Sequence, residues 1–465
     1  MVEDMTNIIL LTIDCFRYDR CGFNGHHENT TPFIDKLAGE SIIFDNAFAT
    51  GPYTTESAPG IFAGRHSFNS HYFNSHAWKA IPENSDTIAS YLSEHGFETL
   101  AVLSNPHMTE NRNFNLGFDL FRNLQTDGSD PKAETGGDDS GFSVADYAHD
   151  IKTRMRKYDS LWTPYTVPYI AHRLLQTRGE WPTHRAEYVL QEFIGELNDT
   201  AKPMFGWTHL MDLHAPIHPG VGDTPVHKNL LRDADRVAGI DSDGYRRLYD
   251  DGLRYVDRQV REFVDHLKSA GIWDETILLI TADHGEVLFD RKEMYGHPRH
   301  HHYDELLHIP MLVRVPDMSS RRIQTPFSLA WIHELLAELI SERPGDFPSE
   351  SGSGDLLSNT PIKEPVISDT VDENGHTVTV RDKSWKYIRH NVSPPQDFWY
   401  PFGDDEQAYH YITDQGERNP ENVRNVSGLV SVAEDYITSP ENLSKLEGEF
   451  SQDMEERLED LGYKM

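Results

Sequence analysis

Three aspartates that end strand-like runs are candidates for binding a metal ion. The runs NIILLTID, MFGWTHLMD and TILLITAD finish at Asp14, Asp212 and Asp283. His284 follows the third aspartate directly, and His214 lies two residues after the second. Ligands of open α/β sheets bind at the carboxyl ends of the strands, and carboxylates with imidazoles are typical of divalent-metal sites. One such aspartate alone would more simply be a helix cap or turn residue, but the whole set predicts a metal site.

A run of hydroxyl residues in the segment ATGPYTTESAPGIFAGR offers candidates for a nucleophile. Thr54, Thr55 and Ser57 all precede or open a short helical pattern. Backbone N–H groups at a helix N-terminus favour an anion, so a hydroxyl there can attack a phosphate or sulfate ester or simply cap the helix. A helix beginning at Thr54 would place Pro59 in its interior, at a cost of about 3 kcal/mol. We therefore predict a helix that starts near Ser57, with Ser57 as its cap and Thr54 on the preceding loop.

A histidine-rich tract follows the third aspartate. Its members are His297, His300, His301, His302 and His308. A tract of this kind can be a solvated surface loop, but behind an Asp-His pair we expect one or two of its imidazoles to point into the site.

Strand and helix patterns alternate along most of the chain. They predict an α/β fold with a large mixed, mostly parallel sheet and helices on both faces over residues 1–342, with a surface insertion at about 125–160. Residues 343–364 are rich in Ser, Pro, Gly and acidic residues and are interpreted as a linker. Short strand patterns without intervening helices then predict a small C-terminal α+β subdomain with an antiparallel sheet at 365–465, ending in an amphipathic helix at 442–461.

The composition limits the function further. The 465 residues carry 42 Lys+Arg against 76 Asp+Glu, for a formal net charge of -34, which is the wrong sign for a nucleic-acid binder. Such acidity favours a protein that functions in high salt, where charges are screened; the alternative is an acidic protein of a mesophile. Two cysteines, Cys15 and Cys21, are too few for a disulfide framework. The sequence shows no leader pattern, and we therefore expect a cytoplasmic protein. It has no apolar run of about 18 residues, so we expect no membrane span. It predicts no oligomeric state.

These segments resemble the sulfatase branch of the alkaline-phosphatase superfamily. IILLTIDCFRYDRCGF is similar to the family's first strand, and the resemblance implies that Asp14 is a metal ligand. TILLITADHGE places Asp283 and His284 on further ligand positions, and FGWTHLMDLHAP places His214 on the family's substrate-facing histidine. The resemblance implies one divalent ion, Ca²⁺, Mg²⁺ or Mn²⁺, and an alkaline-phosphatase-like fold.

Two departures from the family pattern concern the nucleophile and the metal. Counting back from Arg65 places Thr54 where sulfatases carry the cysteine that is oxidised to formylglycine, so no formylglycine can form here. Cys15 stands where the family usually has a second aspartate ligand.

Other departures concern the substrate site. The arginine and lysine of the family's active site are missing, and Ala58 stands in the arginine position. We expect Arg65 to bind substrate, and His297 or His302 to replace the lysine.

The resemblance therefore implies a metal-dependent enzyme of haloarchaeal type. It would cleave or transfer a sulfate or phosphate ester, on a small molecule, sugar or glycan, with Thr54 as nucleophile and His214 as its catalytic partner. One alternative is a sulfuryl or phosphoryl transferase to a sugar hydroxyl in the assembly of cell-surface glycans. The other is a pseudoenzyme scaffold, which the retained metal-ligand positions disfavour.

Overall fold

The structure is a computed structural model that describes most of the chain. The described residues are 6–73, 78–126, 163–176, 181–199, 203–238, 241–291, 294–340, 355–359, 365–393, 404–442, 445–446 and 458–461. The predicted insertion at 125–160 lies almost wholly outside them, so it stays a prediction.

An eight-stranded sheet forms the centre of the molecule. In spatial order its strands are β14 (Arg321–Ile323), β2 (Ile42–Phe44), β13 (Met311–Arg314), β9 (Thr276–Ala282), β1 (Asn7–Ile13), β8 (Met204–Leu210), β6 (Glu98–Leu103) and β7 (Leu120–Asn123). Within this sheet β13 runs antiparallel to both of its neighbours, and the other pairs are parallel. The predicted mixed, mostly parallel sheet is confirmed.

The central strands β1, β8 and β9 bring the three strand-ending aspartates to one edge of the sheet. Every residue of these strands is buried, which requires cover on both faces of the sheet. The three strands are adjacent and parallel, and Ile13 pairs with both Leu210 and Ala282. Because the strands end level with one another, the residues that follow them emerge side by side.

Helices flank this sheet. They are α1 (Pro32–Ala38), α2 (Thr54–Ala63), α3 (Ile88–Glu94), α4 (Thr163–Gln176), α5 (Ala186–Leu197), α6 (Val226–Val237), α7 (Ser242–Ser269), α8 (Asp304–Leu307) and α9 (Ile332–Leu339). The spacing of apolar residues from Asp243 to Ala270 predicts one long amphipathic helix, and α7 is this helix, shifted by one residue. For α3 the sequence predicts Ser85 or Asp86 as the N-cap, but in the structure the cap is Thr87. None of the helices in the described residues is both long and apolar enough to cross a membrane.

The C-terminal region contains the expected antiparallel sheet. Its strands are β16 (Val366–Asp372), β17 (Gly375–Arg381), β18 (Lys386–Val392) and β19 (Glu406–Tyr409), in that spatial order, with helix α10 (Ser427–Tyr436) packed on β17 and β18. The remaining short strands are β3 (Ala47–Phe48), β4 (His71–Phe73), β5 (Trp78–Ala80), β10 (Val287–Leu288), β11 (Tyr295–Gly296), β12 (His308–Ile309), β15 (Phe327–Ser328) and β20 (Lys445–Leu446).

Two predictions about the C-terminal third need comment. The tail helix expected at 442–461 is wrong at its start, since β20 pairs there in parallel with β4. Strand pairing across the chain outweighs the helical pattern at this point. Within the expected linker, residues 355–359 are described, and Leu356 is buried against the main core. The exact domain limits stay predictions.

The C-terminal sheet holds the segments on either side of α2. Before the helix, the Asp369 N–H donates to the Thr50 carbonyl at 2.7 Å. After the helix, the Asp369 carboxylate accepts the backbone N–H groups of Ser67 at 2.8 Å and Phe68 at 3.0 Å. One buried aspartate of β16 thus holds the chain on both sides of the helix that begins at Thr54.

Candidate active site

The edge of the central sheet brings together the metal trio, which we define as Asp14, Asp283 and His284. One ligand atom of each lies within 4.8 Å of the others, and all three residues are fully buried. His284 Nε2 is 3.5 Å from Asp283 Oδ2 and 3.9 Å from Asp14 Oδ1. The strand endings predicted that these three residues lie together, but they also grouped Asp212 with them.

The donor atoms of the metal trio fit a divalent cation. Asp283 Oδ2 is buried and has no hydrogen-bond partner among the described residues. His284 Nδ1 lies 2.7 Å from the Gly285 carbonyl, so its N–H donates there and the Nε2 lone pair is directed at the carboxylates. A backbone acceptor on one ring nitrogen is the usual way to orient a metal-binding imidazole.

The charges of the metal trio also favour a cation. Burial opposes ionisation of Asp14, but the hydrogen bond from His209 and the positive charges that His214 and His284 carry when protonated outweigh it and hold the pKa of Asp14 well below its usual value. Burial and the negative charge of Asp14 raise the pKa of Asp283. Two carboxylates this close disfavour each other's ionisation, and a bound cation removes that conflict.

Thr54 is the first residue of α2, contrary to the prediction that the helix starts near Ser57. Tyr53 is the N-cap, and Pro59 lies inside the helix. All ten residues of the helix are buried, and tertiary packing therefore outweighs the loss of one helical hydrogen bond at the proline. Gly64 ends the helix in the left-handed region at φ 59°, which glycine adopts without strain.

The Thr54 hydroxyl faces the metal trio. Its Oγ1 lies 3.3 Å from Asp14 Oδ2 and 3.3 Å from His284 Nε2. Ser57, the rival nucleophile, is buried one turn further along, and its hydroxyl has no hydrogen-bond partner among the described residues. Ser57 is therefore not the helix cap that we expected.

His214 and His297 lie beside the metal trio. The ring centre of His297 is 4.9 Å from that of His214 and 4.8 Å from that of His284. His214 Nδ1 lies 2.6 Å from the Ala215 carbonyl, and burial lowers the pKa of His214 to about 4. His214 is therefore a neutral imidazole at neutral pH. His297 Nδ1 is 2.8 Å from Glu286 Oε2, which fixes its ring.

Two of the predicted substrate-binding residues lie elsewhere. Arg65 follows the far end of α2, and a ten-residue helix is about 15 Å long, so its backbone is well away from Thr54. His302 is buried with Nδ1 2.9 Å from Thr379 Oγ1 and Nε2 3.0 Å from Thr370 Oγ1. Both of its ring nitrogens contact the C-terminal sheet, so His302 connects the two parts of the fold and does not replace the family's lysine.

Asp212 follows strand β8 and acts as a helix cap, which is the simplest role for a single aspartate at the end of a strand. Its Oδ1 accepts the backbone N–H of Ala186, the first residue of α5, at 3.2 Å. Burial raises the pKa of Asp212 to about 7. It therefore caps a helix and does not belong to the metal trio.

Several side chains at the site were not singled out from the sequence. Glu286 is buried two residues after His284, a spacing that could have identified it. The guanidinium carbon of Arg299 lies 4.7 Å from the ring centre of Tyr53, and the Tyr53 ring lies 4.8 Å from that of His297. Arg299 lies inside the histidine-rich tract, and the sequence interpretation of that tract considered only its histidines. No local pattern indicates His209, which lies 3.5 Å from Asp14 and within strand β8.

Comparison with known proteins places this geometry in a family. A family model described as Sulfatase matches residues 6–339. N-acetylgalactosamine-6-O-sulfatase of Bacteroides thetaiotaomicron is 25% identical over 496 residues, covering 91% of this chain and 92% of that protein. Ulvan-active sulfatase of Formosa agariphila is 23% identical over 395 residues, covering 80% of this chain and 58% of that protein. The crystal structure of a phosphonate monoester hydrolase of Agrobacterium radiobacter is similar in fold, with a TM-score of 0.62, 17% identity, and 93% and 94% of the two chains covered. Since the family model spans well over half of its length, the chain belongs to the sulfatase family.

Proposed function

We propose that the protein is a metal-dependent enzyme that cleaves a sulfate or phosphate ester with Thr54 as the nucleophile. The observation that carries this proposal is the position of the Thr54 hydroxyl, 3.3 Å from both Asp14 Oδ2 and His284 Nε2. A hydroxyl placed there is next to any cation that the metal trio holds. It is also at the first position of a helix, where backbone N–H groups favour an anionic ester.

The reaction proceeds in two displacements. Thr54 loses its proton and Oγ1 forms a bond to sulfur or phosphorus, while the bond to the ester oxygen breaks and that oxygen takes up a proton. Water then attacks the same sulfur or phosphorus, which releases sulfate or phosphate and restores the threonine. A divalent ion held by the metal trio would lower the pKa of the hydroxyl and offset the charge of the ester.

The neighbouring side chains have separate roles in this proposal. His214, a neutral imidazole, takes up the proton that Thr54 releases and passes it to the leaving oxygen; in the second displacement it takes a proton from the attacking water and returns it to Thr54. Arg299, held over the Tyr53 ring, offers a positive charge to the anionic ester from beside the histidines. Glu286 positions His297 through their hydrogen bond.

The substrate we propose is a sulfated or phosphorylated sugar. Two relatives are named for action on an N-acetylgalactosamine sulfate and on ulvan. Similarity in fold to a phosphonate monoester hydrolase supports testing phosphorus esters alongside sulfate esters. Transfer to a sugar hydroxyl would share the first displacement and differ only in the acceptor.

Turnover of p-nitrophenyl sulfate and p-nitrophenyl phosphate, with and without a chelator, tests the proposal. We expect activity on at least one ester, lost on chelation and restored by metal. Thr54→Ala should lower kcat by about 10³-fold or more, since residues that act covalently have effects of this size. Ser57→Ala, a change in the same helix, should keep turnover close to wild type. Equal turnover in wild type and Thr54→Ala would refute the proposal.

A further inference from the structure

A second group of metal-binding side chains adjoins the metal trio. Cys15, His284 and His297 each offer one ligand atom, and these atoms lie within 4.8 Å of one another. His284 belongs to both groups, so the two groups form one continuous set of donors.

Cys15 is held beside the other donors by its place in the chain. It follows Asp14 at the end of β1 and has a positive φ of 60°, which turns the chain sharply. Its Sγ lies 2.8 Å from Asp14 Oδ1, 3.5 Å from Glu286 Oε2 and 3.8 Å from His297 Nδ1. The thiol is fully buried among carboxylates and imidazoles, which are side chains of the types that bind metal ions.

An independent observation shows that this space suits a ligand. Asp283 Oδ2 is buried, is 3.5 Å from His284 Nε2 and has no hydrogen-bond partner among the described residues. A buried carboxylate oxygen without a donor costs free energy, which a cation bound between Asp283 and His284 offsets.

We propose that Cys15 binds the metal ion as a thiolate and that the site selects Zn²⁺ over Ca²⁺ and Mg²⁺. The inference rests on the proposed metal-dependent function and specifies its ion. On binding, the Cys15 S–H bond breaks, its proton passes to solvent, and a bond forms between sulfur and the metal.

The donor chemistry supports this selection. Ca²⁺ takes six to eight oxygen ligands and Mg²⁺ needs octahedral oxygen ligands, whereas Zn²⁺ is commonly four-coordinate with sulfur, nitrogen and carboxylate donors. The two overlapping groups together offer two aspartates, two histidines and one thiol, with the Thr54 hydroxyl beside Asp14 and His284. Thiolate and imidazole ligands favour Zn²⁺ or Co²⁺ over the harder ions.

Cobalt substitution of the full-length protein tests the ligand directly. We expect one Co²⁺ per chain and a thiolate-to-cobalt charge-transfer band in the near ultraviolet. The band should disappear in Cys15→Ser and persist in Cys21→Ser. Cys21 is a matched control because it is also buried, but its Sγ contacts the Arg17 carbonyl at 3.5 Å. Stoichiometric Co²⁺ without this band, or a band that survives in Cys15→Ser, would overturn the inference.

Metal competition tests the selectivity. In a mixture with excess Ca²⁺ and Mg²⁺ the wild type should retain Zn²⁺, and Cys15→Ser should bind Zn²⁺ at least about tenfold more weakly. Cys15→Asp, which supplies an oxygen donor in place of sulfur, should shift retention towards the hard ions. If Cys15→Ser does not fold, the wild-type spectrum and Cys15→Asp still decide the question. Wild type that retains Ca²⁺ or Mg²⁺ instead of Zn²⁺ would contradict the selectivity.

These results are separable from those on the proposed function. A cobalt band without turnover of any ester would refute the proposed function and leave Cys15 as a ligand. Turnover that depends on Thr54 and on Ca²⁺, with no band, would refute the inference and leave the proposed function standing.

Discussion

Thr54 and Ser57 lie one turn apart on the same helix, yet their hydroxyl groups have different surroundings. Thr54 Oγ1 contacts Asp14 and His284. Ser57 Oγ is buried without a partner among the described residues. The Thr54 hydroxyl is therefore placed to react, whereas burial of the Ser57 hydroxyl without a hydrogen bond only lowers the free energy of unfolding.

Replacing Ser57 by alanine should therefore leave the protein as stable as wild type or up to about 1 kcal/mol more stable, because the buried hydroxyl makes no compensating bond. Chemical denaturation of wild type and Ser57→Ala measures the change in the free energy of unfolding. A loss of about 1 kcal/mol or more would show that Ser57 does cap the helix, as its sequence position suggested.

The individual residues differ in how far sequence could predict them. Asp14, Asp283 and His284 were predictable because each follows a strand, and parallel strands end at one edge. His302 was not, because its two threonine partners belong to the C-terminal sheet and nothing local marks them.

At the scale of elements, Asp212 links the end of β8 to the start of α5. Its carboxylate accepts the Ala186 N–H, and Arg185, Glu187 and Tyr255 are the charged and titratable groups around it. Burial dominates these influences and raises its pKa to about 7.

This raised pKa makes stability depend on pH. Between the unfolded pKa of about 3.9 and the folded pKa of about 7, the folded state binds one more proton at Asp212 than the unfolded state. The free energy of unfolding should therefore fall as pH rises through this window, by up to about 1.4 kcal/mol per pH unit, and level off above it.

Asp212→Asn should remove this contribution, since the amide keeps an acceptor for Ala186 and does not ionise. Denaturation at several pH values between 4 and 8 gives the slope for each protein. Asp86→Asn, at an exposed position, serves as the control and should leave the slope unchanged. An equal slope in wild type and Asp212→Asn would show that Asp212 does not titrate as described.

Element boundaries were less predictable than element types. The parallel sheet and the long helix α7 follow from strong hydrophobic periodicity. The start of α2 was misplaced because Pro59 argues locally against a helix, while burial of the entire helix depends on residues distant in the chain. The strand at Lys445–Leu446 likewise exists only because it pairs with β4.

At the scale of the whole molecule, the net charge of -34 should make stability depend on salt. The Debye length grows from about 3 Å at 1 M to about 10 Å at 0.1 M, so repulsion among carboxylates increases on dilution. We expect a lower melting temperature at 0.1 M than at 2 M potassium chloride. A melting temperature that does not change across this range would contradict the interpretation as a protein of high salt.

The most direct test of the central claim is to locate the covalent intermediate. Wild type mixed with an ester substrate, quenched in acid and digested, should yield a peptide that carries one sulfuryl or phosphoryl group on Thr54. Under the same conditions Thr54→Ala should yield no modified peptide and no product. A group found on Ser57, or full turnover by Thr54→Ala, would contradict the account.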